Sequence, residues 1–316
     1  MLTGVCTMRY RSWLIVPGDS EKKLGKAMAM GADVVVVDLD ATVPHEAKPL
    51  ARALAAEWLF AHRRQVLEQA PMARWVRINS FDSRLWREDL AVVMRGGPEG
   101  IILPSAQGPE SLREVAAELY ELEQANQLAP GSTKILPVAG ETPRAALAIG
   151  AYADAAIPRL AGLTWSAAGL AAAIAATRQR EARGTWSEPF RFVRAQALLV
   201  AHACGVMPIE AVHGDVEDLK GLKLAAKAAR ADGFAGMFAC HPAQVAEINA
   251  AFTPSEAELA EARRIVAAVE NESASDMSPL DRRRIDQPRL KLAKQILGNG
   301  EQRSAGSAPL RMMRSA

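Results

Sequence analysis

Eight short apolar runs alternate along this chain with longer, Ala-rich amphipathic stretches. The runs occupy residues 12–16, 33–39, 74–78, 100–103, 134–138, 162–165, 206–210 and 236–240, and the helical stretches include 20–30, 45–60, 109–126 and 216–231. Most of the runs are uninterrupted rather than alternating, which is typical of strands buried on both faces of a parallel sheet. The repeated β–α units predict an α/β fold, a (β/α)8 TIM barrel, with a doubly wound open sheet as the alternative.

The C-terminal part of the chain differs in composition from this alternating region. We expect residues 1–270 to form the barrel domain and 271–300 to form a linker and a C-terminal helical arm. The helix of the arm is predicted to begin near Pro288, because proline is tolerated in the first turn of a helix. Residues 301–316 are rich in Gly, Ser and Arg, and we expect them to be a disordered tail.

The overall composition excludes several classes of partner and compartment. The chain has 316 residues, and 38 basic against 36 acidic residues give a formal charge of +2, so neither a nucleic-acid nor a membrane partner is expected. Cys6, Cys204 and Cys240 are far apart and match no disulfide framework or zinc spacing, which predicts a reducing, cytoplasmic location. No apolar stretch approaches the roughly 20 residues of a membrane span.

Polar and charged residues follow the predicted strands at their C-terminal ends, which is where barrel enzymes carry their catalytic groups. They are Asp38 and Asp40 after the second strand, Arg77 and Asn79 after the third, Ser105 after the fourth, Glu141 after the fifth, Ser166–Gly169 after the sixth, 210–215 after the seventh and His241 after the eighth. The sequence therefore predicts a candidate site on this rim.

Glu141 and Arg77 each have a functional and a structural interpretation. Glu141 follows a strand at a barrel mouth, where a carboxylate is a suitable ligand for Mg²⁺, or it is an acid before the helix that Thr142 and Pro143 begin. Arg77 lies within a β-rich run, where a guanidinium group must be paired or face a ligand. It suits a carboxylate or an enolate oxygen, and a structural ion pair with nearby acids is compatible with that role.

Asp38 and Asp40 flank one residue, so on a strand both side chains point to the same side. Two neighbouring carboxylates raise each other's pKa unless a cation lies between them. Asp40 is therefore a candidate for positioning a metal-bound water or for general acid–base work, and the structural alternative is that Asp40 caps the loop while Asp38 bonds Arg77. His241 could orient a ligand, although a lone histidine after a buried strand is more often structural.

Five stretches of the sequence occur together in a familiar order and at familiar spacings. They are RSWLIVPGDSEKKLGKAMAMGADVVVVDLDATV (11–43), WVRINSF (75–81), VAGETPR (138–144), GLTWSAAGL (162–170) and the segment 233–268, which contains CHPAQV and INAAFTPS. Over about residues 10–300 they resemble the HpcH/HpaI aldolase and citrate lyase β-subunit family. The resemblance implies a barrel that makes or breaks a carbon–carbon bond in an acyl-CoA or oxo-acid substrate, with Mg²⁺ as cofactor and a CoA thioester as substrate. It also implies a homo-oligomer, a trimer or hexamer.

The resemblance assigns roles to individual positions. Arg77 falls on the arginine that stabilises the enolate, and Glu141 on the first metal carboxylate. Asp40 stands in the segment Leu-Asp-Ala-Thr-Val, where the family usually has Leu-Glu-Asp-Ala-Val, so one acid is shortened and the other is absent. Ile285-Asp286-Gln287-Pro288 matches a segment whose aspartate reaches a neighbouring subunit's site, which makes Asp286 a catalytic candidate.

Several rim positions depart from the family pattern, and each departure removes charge. Ser166 stands at the glycine that approaches the substrate carboxylate, Ala168 at a glutamate and Gly169 at the aspartate that is the second metal ligand. Ser105 and Met237 stand where lysines are common. We therefore expect these sixth-strand residues to bind substrate and Mg²⁺ binding to be weak or substrate-dependent. The alternative is a catalytically impaired paralogue that binds a CoA ester or small carboxylate, or serves as a partner subunit.

Overall fold

Eight parallel strands form a closed barrel in the computed structural model, which describes residues 10–63, 72–182, 184–270 and 285–306, with side chains described through 298 in the last segment. The strands are β1 (Ser12–Pro17), β2 (Val34–Asp38), β3 (Ala73–Arg77), β4 (Gly100–Ala106), β5 (Lys134–Ala139), β6 (Gly162–Thr164), β7 (Met207–Glu210) and β8 (Gly236–Ala239). Each strand pairs with the next along the chain, and β8 pairs with β1. The predicted barrel is confirmed, and the open-sheet alternative is wrong.

Helices connect the strands along the outside of the barrel. They are α1 (Glu21–Ala27), α2 (Lys48–Ala61), α3 (Trp86–Val93), α4 (Pro109–Ala125), α5 (Pro143–Ala148), α6 (Ala167–Ala173), α7 (Glu188–Ala203), α8 (Leu219–Asp232) and α9 (Pro242–Ala251). The stretch predicted from residue 45 becomes α-helical only at Lys48, because His45–Ala47 form a 3-10 turn. The stretch predicted from 216 begins at Leu219, because the Asp218 side chain caps it by accepting from the Gly221 N–H.

Apolar side chains fill the inside of the barrel, so the interior is a packed core. The indole of Trp13 lies 5.0 Å from that of Trp75 and 5.7 Å from the ring of Phe238, measured between ring centroids. Gly100 leaves the space that the Trp75 ring fills, since a Cβ at that glycine would lie 2.4 Å from the ring. The barrel floor is therefore aromatic and apolar.

The alternation of side chains along β2 and β3 decides which polar residues enter the barrel. Val34 and Val36 belong to the interior cluster, and so does Trp75 on β3. Because successive side chains on a strand point to opposite faces, Asp38 and Arg77 continue these inward rows at the C-terminal ends of their strands. They are also register partners. Both side chains therefore lie at the C-terminal mouth of the barrel.

The chain divides into two compact units, one spanning Tyr10–Phe252 and the other including the described residues from Thr253 onward. In the second unit, α10 (Glu256–Glu270) packs against α11 (Gln287–Gly306) through Ala262, Ile265 and Ala293. Thus α10, which falls before the boundary expected at residue 270, groups with the arm. Ion pairs also join the two helices, from Arg289 to Glu261 and from Lys294 to Glu270.

The ends of α11 can be compared with the sequence prediction. The helix begins at Gln287 and places Pro288 in its first turn, as predicted. It continues to Gly306, so the expectation of a disordered tail differs from the structure over 301–306, where Glu301, Gln302 and Arg303 are good helix formers. Residues 271–284, the first part of the expected linker and arm, and the residues from 307 lie outside the described residues.

The described part of the chain contains two of the three cysteines and no helix that is long and apolar enough to cross a bilayer. Cys204 is half-buried and Cys240 is exposed, and both are free thiols. Burial raises the pKa of both thiols, so neither is poised as a thiolate. Cys6 lies outside the described residues.

Candidate active site

Arg77 and Asp38 form a two-pronged ion pair at the barrel mouth. Arg77 Nε donates to Asp38 Oδ1 at 2.6 Å and Nη2 donates to Oδ2 at 2.9 Å. The Asp38 side chain is fully buried, whereas 19% of the Arg77 side chain is exposed. The pair confirms the structural interpretation in which Asp38 bonds Arg77. The pair uses Nε and Nη2 of Arg77, so the third guanidinium nitrogen, Nη1, makes no hydrogen bond to Asp38.

Asp38 is held by its own loop as well as by the arginine. The N–H of Asp40 donates to Oδ1 at 3.0 Å, and the N–H of Thr42 donates to Oδ2 at 2.9 Å. Burial alone would lower the pKa of Arg77, but the neighbouring carboxylates of Asp38, Asp40 and Glu141 raise it overall. The guanidinium therefore stays charged and is fixed in place before any ligand arrives.

Asp40 is a half-buried carboxyl group beside this pair. Burial raises the pKa of Asp40, and the charge of Asp38 adds to the increase. The charges of Arg77 and Lys48 and a hydrogen bond from the Ser80 N–H oppose it without cancelling it. A carboxyl group with a raised pKa next to a fixed cation can hold or accept a proton.

Glu141 reaches the mouth from the loop after β5. Gly140, with φ of +84°, turns the chain there, and Thr142 caps α5 by accepting from the Ala145 N–H at 3.1 Å. The Ser105 N–H donates to Glu141 Oε2 at 2.6 Å. This N–H is available because β4 changes register between Leu103 and Ala106, and Ser105 has a left-handed φ of +51°. An irregular strand end thus orients the Glu141 carboxylate.

Glu141 lies close enough to Arg77 and Asp40 for both charges to change its pKa. The three predicted residues therefore belong to one site. Burial raises the pKa of Glu141, and Asp40 raises it further. The hydrogen bond from the Ser105 N–H, the Arg77 charge and a hydrogen bond with the Ser166 hydroxyl lower it, and the net change is upward. The carboxyl groups of Asp40 and Glu141, both with raised pKa values, therefore lie near the Arg77 guanidinium at the barrel mouth.

Ser166 and Gly169 form the wall of the site next to Glu141. The Gly169 N–H donates to Ser166 Oγ at 3.0 Å, which caps α6. A Cβ built at Gly169 would lie 3.0 Å from Glu141 Oε1 and 3.2 Å from Glu141 Cβ. The Glu141 side chain therefore packs directly against this glycine, and an aspartate at the position would have to displace it. Ala168 is exposed.

Other rim residues serve the scaffold. His241 is exposed and caps α9 with Nδ1, which agrees with its structural interpretation. Glu210 lies on the side of β7 opposite the inward-facing Ile209, and it accepts from Trp165 Nε1 at 2.7 Å and Arg194 Nε at 2.6 Å. Asp286 belongs to the second unit, where its Oδ1 accepts from the Arg289 N–H at the start of α11. The catalytic role expected for Asp286 stays a prediction.

Sequence reasoning missed Lys48, which also borders the site. Its Nζ donates to the carbonyl oxygens of Leu39 and Asp40 at 2.9 and 3.2 Å and to the side chain of Asn79. Lys48 is the first residue of α2, and a lysine near a helix start carries no signal in the sequence that marks it as part of a site.

The donors at the mouth suit a magnesium ion that takes its remaining ligands from water and substrate. Within the described ranges, no group of three or more His, Cys, Asp or Glu side chains could hold a metal by itself. Mg²⁺ commonly uses one or two carboxylates and keeps several waters or substrate oxygens. Glu141 supplies one half-buried carboxylate whose raised pKa a cation would lower. The described donors therefore fit a Mg²⁺ ion that completes its coordination with water and substrate oxygens.

Comparisons with known proteins show which family and which structures this chain resembles. The model of a family described as HpcH/HpaI aldolase/citrate lyase matches residues 11–242. A citrate lyase subunit beta-like protein from Mycobacterium tuberculosis is 32% identical, over 94% of this chain and 96% of that protein. A (3S)-malyl-CoA thioesterase from Cereibacter sphaeroides is 29% identical, over 92% of this chain and 95% of the relative. A crystal structure of CitE from M. tuberculosis with magnesium, acetoacetate and coenzyme A has a TM-score of 0.71 and 30% identity, covering 92% of this chain and 98% of that one.

Proposed function

The chain belongs to the HpcH/HpaI aldolase/citrate lyase family, and we propose that it makes or breaks a carbon–carbon bond in a CoA ester or oxo-acid with the help of Mg²⁺. The observation that carries this proposal is the meeting of Arg77, Asp40 and Glu141 at the barrel mouth. The CoA thioester is a substrate rather than a resident cofactor. Citryl-CoA-like and malyl-CoA-like esters are the substrate class that fits a site with one fixed cation and two carboxyl groups.

Arg77 binds the oxygen on which negative charge develops. In the cleavage direction a β-hydroxyacyl-CoA loses its hydroxyl proton, and the bond between its α and β carbons breaks. The electron pair passes to the α carbon and the thioester oxygen, which gives an enolate and leaves an oxo-acid carbonyl. A guanidinium fixed by Asp38 stabilises this enolate without having to reorganise during the reaction.

Asp40 accepts the hydroxyl proton and returns a proton in the reverse reaction. Its raised pKa brings it closer to the range in which a carboxyl group exchanges protons efficiently. The enolate carbon then takes up the proton that Asp40 accepted from the hydroxyl, which completes the cleavage, returns Asp40 to its carboxylate form and releases the acyl-CoA product. Burial raises the pKa of Asp40, and the Arg77 charge beside it limits that increase.

Glu141 would hold Mg²⁺, which when bound supplies Lewis-acid polarisation of the oxo-acid carbonyl. The Ser105 N–H and the Ser166 hydroxyl orient the Glu141 carboxylate for this task. Ser166 and Gly169 line the wall that the substrate meets, and Ala168 lies beside them on the exposed side of α6. These substrate contacts are part of the proposal.

A second candidate function is binding without turnover, as an impaired paralogue or partner subunit. It is favoured by Gly169, which places no acid beside Glu141. A CoA ester or small carboxylate would then bind to Arg77. The two functions differ in whether the wild-type protein releases an oxo-acid.

An assay with citryl-CoA, malyl-CoA and methylmalyl-CoA in the presence of Mg²⁺ tests the proposal. Release of an oxo-acid together with a shortened acyl-CoA, lost in Arg77→Ala, supports the lyase function. Release of free CoA with the hydroxy acid intact identifies thioester hydrolysis instead, the activity named for the C. sphaeroides relative. No product with any ester, combined with ester binding that needs Arg77, favours the non-catalytic function.

The assembly and the location of the protein are also part of the proposal. We expect a cytoplasmic homo-oligomer, a trimer or hexamer, in which Asp286 of one subunit completes the site of a neighbour. Light scattering after size exclusion measures the number of subunits. Mixing two inactive variants, Asp286→Ala and Arg77→Ala, should regenerate some intact sites if Asp286 acts across subunits, and no activity should return if it acts within its own.

A further inference from the structure

We propose that Lys48 is a positioning residue, whose ammonium group ties the loop that carries Asp40 to the loop that follows Arg77. The loop after β2 spans 39–47 and the loop after β3 spans 78–85. The catalytic part of this inference rests on the proposed function, whereas the tie between the loops does not. Lys48 is described as a positioning group because its contacts are with the protein itself.

Three hydrogen bonds orient the Lys48 ammonium group. Nζ donates to the carbonyl oxygen of Leu39 at 2.9 Å, to the carbonyl oxygen of Asp40 at 3.2 Å and to Asn79 Oδ1. An ammonium group has three N–H donors, so these acceptors use all of them. Lys48 thus holds both peptide carbonyls that surround Asp40, and it connects them to the neighbouring loop.

Asn79 is a rigid acceptor because a buried network fixes its amide group. The N–H and Nδ2 of Asn79 both donate to Asp89 Oδ2 at 2.7 Å, and Arg52 Nε donates to Asp89 Oδ1 at 2.6 Å. Asn79 is 1% exposed and Asp89 is fully buried. With Nδ2 bound to a carboxylate, the oxygen of the amide must face Lys48. The Lys48 ammonium group is therefore held by an amide whose own position is fixed by Arg52 on α2 and Asp89 on α3.

The location of Lys48 in its helix is unfavourable on local grounds. It is the first residue of α2, where the helix dipole favours negative charge and disfavours a cation. A lysine there is accounted for by its contacts across the two loops. The Lys48 charge also lowers the pKa of Asp40, against the effect of burial, and so favours the ionised form of the neighbouring carboxylate.

Amide hydrogen exchange of Lys48→Met measures the tie directly, without any assumption about the reaction. We expect exchange in 39–47 and 78–85 to accelerate by about tenfold or more, because loops that lose their tie open more often, with the other strands and helices unchanged. Lys48→Arg restores a cation with several donors and should recover most of the protection. Lys227→Met, the same substitution at an exposed lysine on α8, is the matched control and should leave both loops unchanged.

Steady-state kinetics test the catalytic consequence. Lys48→Met should lower kcat by roughly a hundredfold, the scale expected when a reacting group is misplaced, while KM for the CoA ester changes much less. Lys48→Arg should return kcat to within about tenfold of the wild type. If Lys48→Met does not fold, Lys48→Gln, which removes the charge and keeps two of the three N–H donors, takes its place in both measurements.

The outcomes separate this inference from the proposed function. Faster exchange confined to the two loops supports the tie even if the wild-type protein turns over no ester. Unchanged exchange in those loops overturns it, and so does faster exchange throughout the barrel, which would identify Lys48 as a general stability residue. If the wild-type protein is active and Lys48→Met has the same kcat, the proposed effect of Lys48 on catalysis is wrong, whereas the tie between the loops is unaffected.

Discussion

Arg77 and Asp38 are register partners on neighbouring strands, and their side chains share two hydrogen bonds of 2.6 and 2.9 Å inside the barrel mouth. The sheet itself therefore sets the separation of the two groups. A surface ion pair gains little because two long side chains must be ordered to form it, whereas here the strands already order both backbones. The cation at the mouth is consequently a fixed part of the scaffold.

Substitution of Arg77 should separate the effect of charge from the effect of geometry. Arg77→Ala should lower kcat/KM by about a hundredfold to a thousandfold, as is typical when a charge-stabilising donor is removed. Arg77→Lys keeps the charge but cannot form the paired hydrogen bonds with Asp38, so it should recover only part of the loss. Calorimetry with oxaloacetate should show weaker binding in both variants. Equal activity of Arg77→Lys and the wild type would show that the paired hydrogen bonds between Arg77 and Asp38 are not required.

The pH dependence of activity should report Asp40. Burial raises the pKa of this carboxyl above its usual value of 3.8, and the group must be ionised to accept the hydroxyl proton. Activity should therefore fall as the pH is lowered, with an acidic limb of kcat/KM centred above 3.8. Asp40→Asn should be inactive across the whole pH range. An acidic limb that persists unchanged in a partly active Asp40→Asn would assign it to another group.

Gly169→Ala should disturb Glu141 although it adds a single methyl group. The new Cβ would lie 3.0 Å from Glu141 Oε1 and 3.1 Å from Ser166 Oγ, so one of these side chains has to move by a few tenths of an ångström. We expect Mg²⁺ affinity in the presence of an oxo-acid to fall by about tenfold, since overpacking of this kind costs on the order of 1–3 kcal/mol.

Gly169→Asp and Ser166→Ala complete this test. Gly169→Asp adds a carboxylate beside Glu141 and should raise the affinity for Mg²⁺ alone, provided that Glu141 shifts to admit it. Ser166→Ala removes a hydrogen bond to Glu141 without adding bulk and should change Mg²⁺ affinity less than Gly169→Ala does. Calorimetric titration with Mg²⁺ measures all three variants. An unaltered affinity in Gly169→Ala would show that Glu141 does not hold the ion.

Glu123 should make the stability of the barrel depend on pH far from the mouth. Burial would raise its pKa, but hydrogen bonds from Arg159 and from the N–H groups of Thr133 and Gly131 lower it from 4.5 to about 2. A lowered pKa stabilises the folded state above the unfolded-state value, and this contribution of roughly 3 kcal/mol disappears as the pH falls from about 4.5 to about 2.

Glu123→Gln isolates that contribution in denaturant unfolding. At neutral pH the variant should be less stable by about 3–5 kcal/mol, because Arg159 is left as a buried charge without its carboxylate partner. Its free energy of unfolding should also change less with pH between about 2 and about 4.5 than that of the wild type. Arg113→Ala, at an exposed ion pair with Glu110, is the control and should change stability little.

The sequence allowed the barrel and its mouth to be predicted because both depend on strand order. Uninterrupted apolar runs such as 33–39 locate the strands, and parallel strands bring their C-terminal ends to one rim. Arg77, Asp40 and Glu141 could therefore be placed together. The pairing of Arg77 with Asp38 was one of the open alternatives, and strand register decided it.

Other features of the site depend on three-dimensional details that leave no local pattern. The N–H of Ser105 reaches Glu141 only because β4 is irregular and Ser105 adopts a left-handed φ, and a serine carries no signal for that conformation. Lys48 and Asp89 lie in helices, and their relation to Asn79 arises when those helices pack on the sheet. The grouping of α10 with α11 likewise follows from the packing of one helix on the other, which neither helix's own sequence specifies.

The aromatic floor formed by Trp13, Trp75 and Phe238 closes the barrel below Arg77, among the residues that the structure describes. A ligand that reaches Arg77 through the barrel mouth therefore also leaves through the mouth. When one molecule is split into two fragments there, the fragment nearer the entrance has to depart before the deeper one can follow. A site that is closed at one end therefore imposes an order on product release, and an excess of the outer product should slow the release of the inner product.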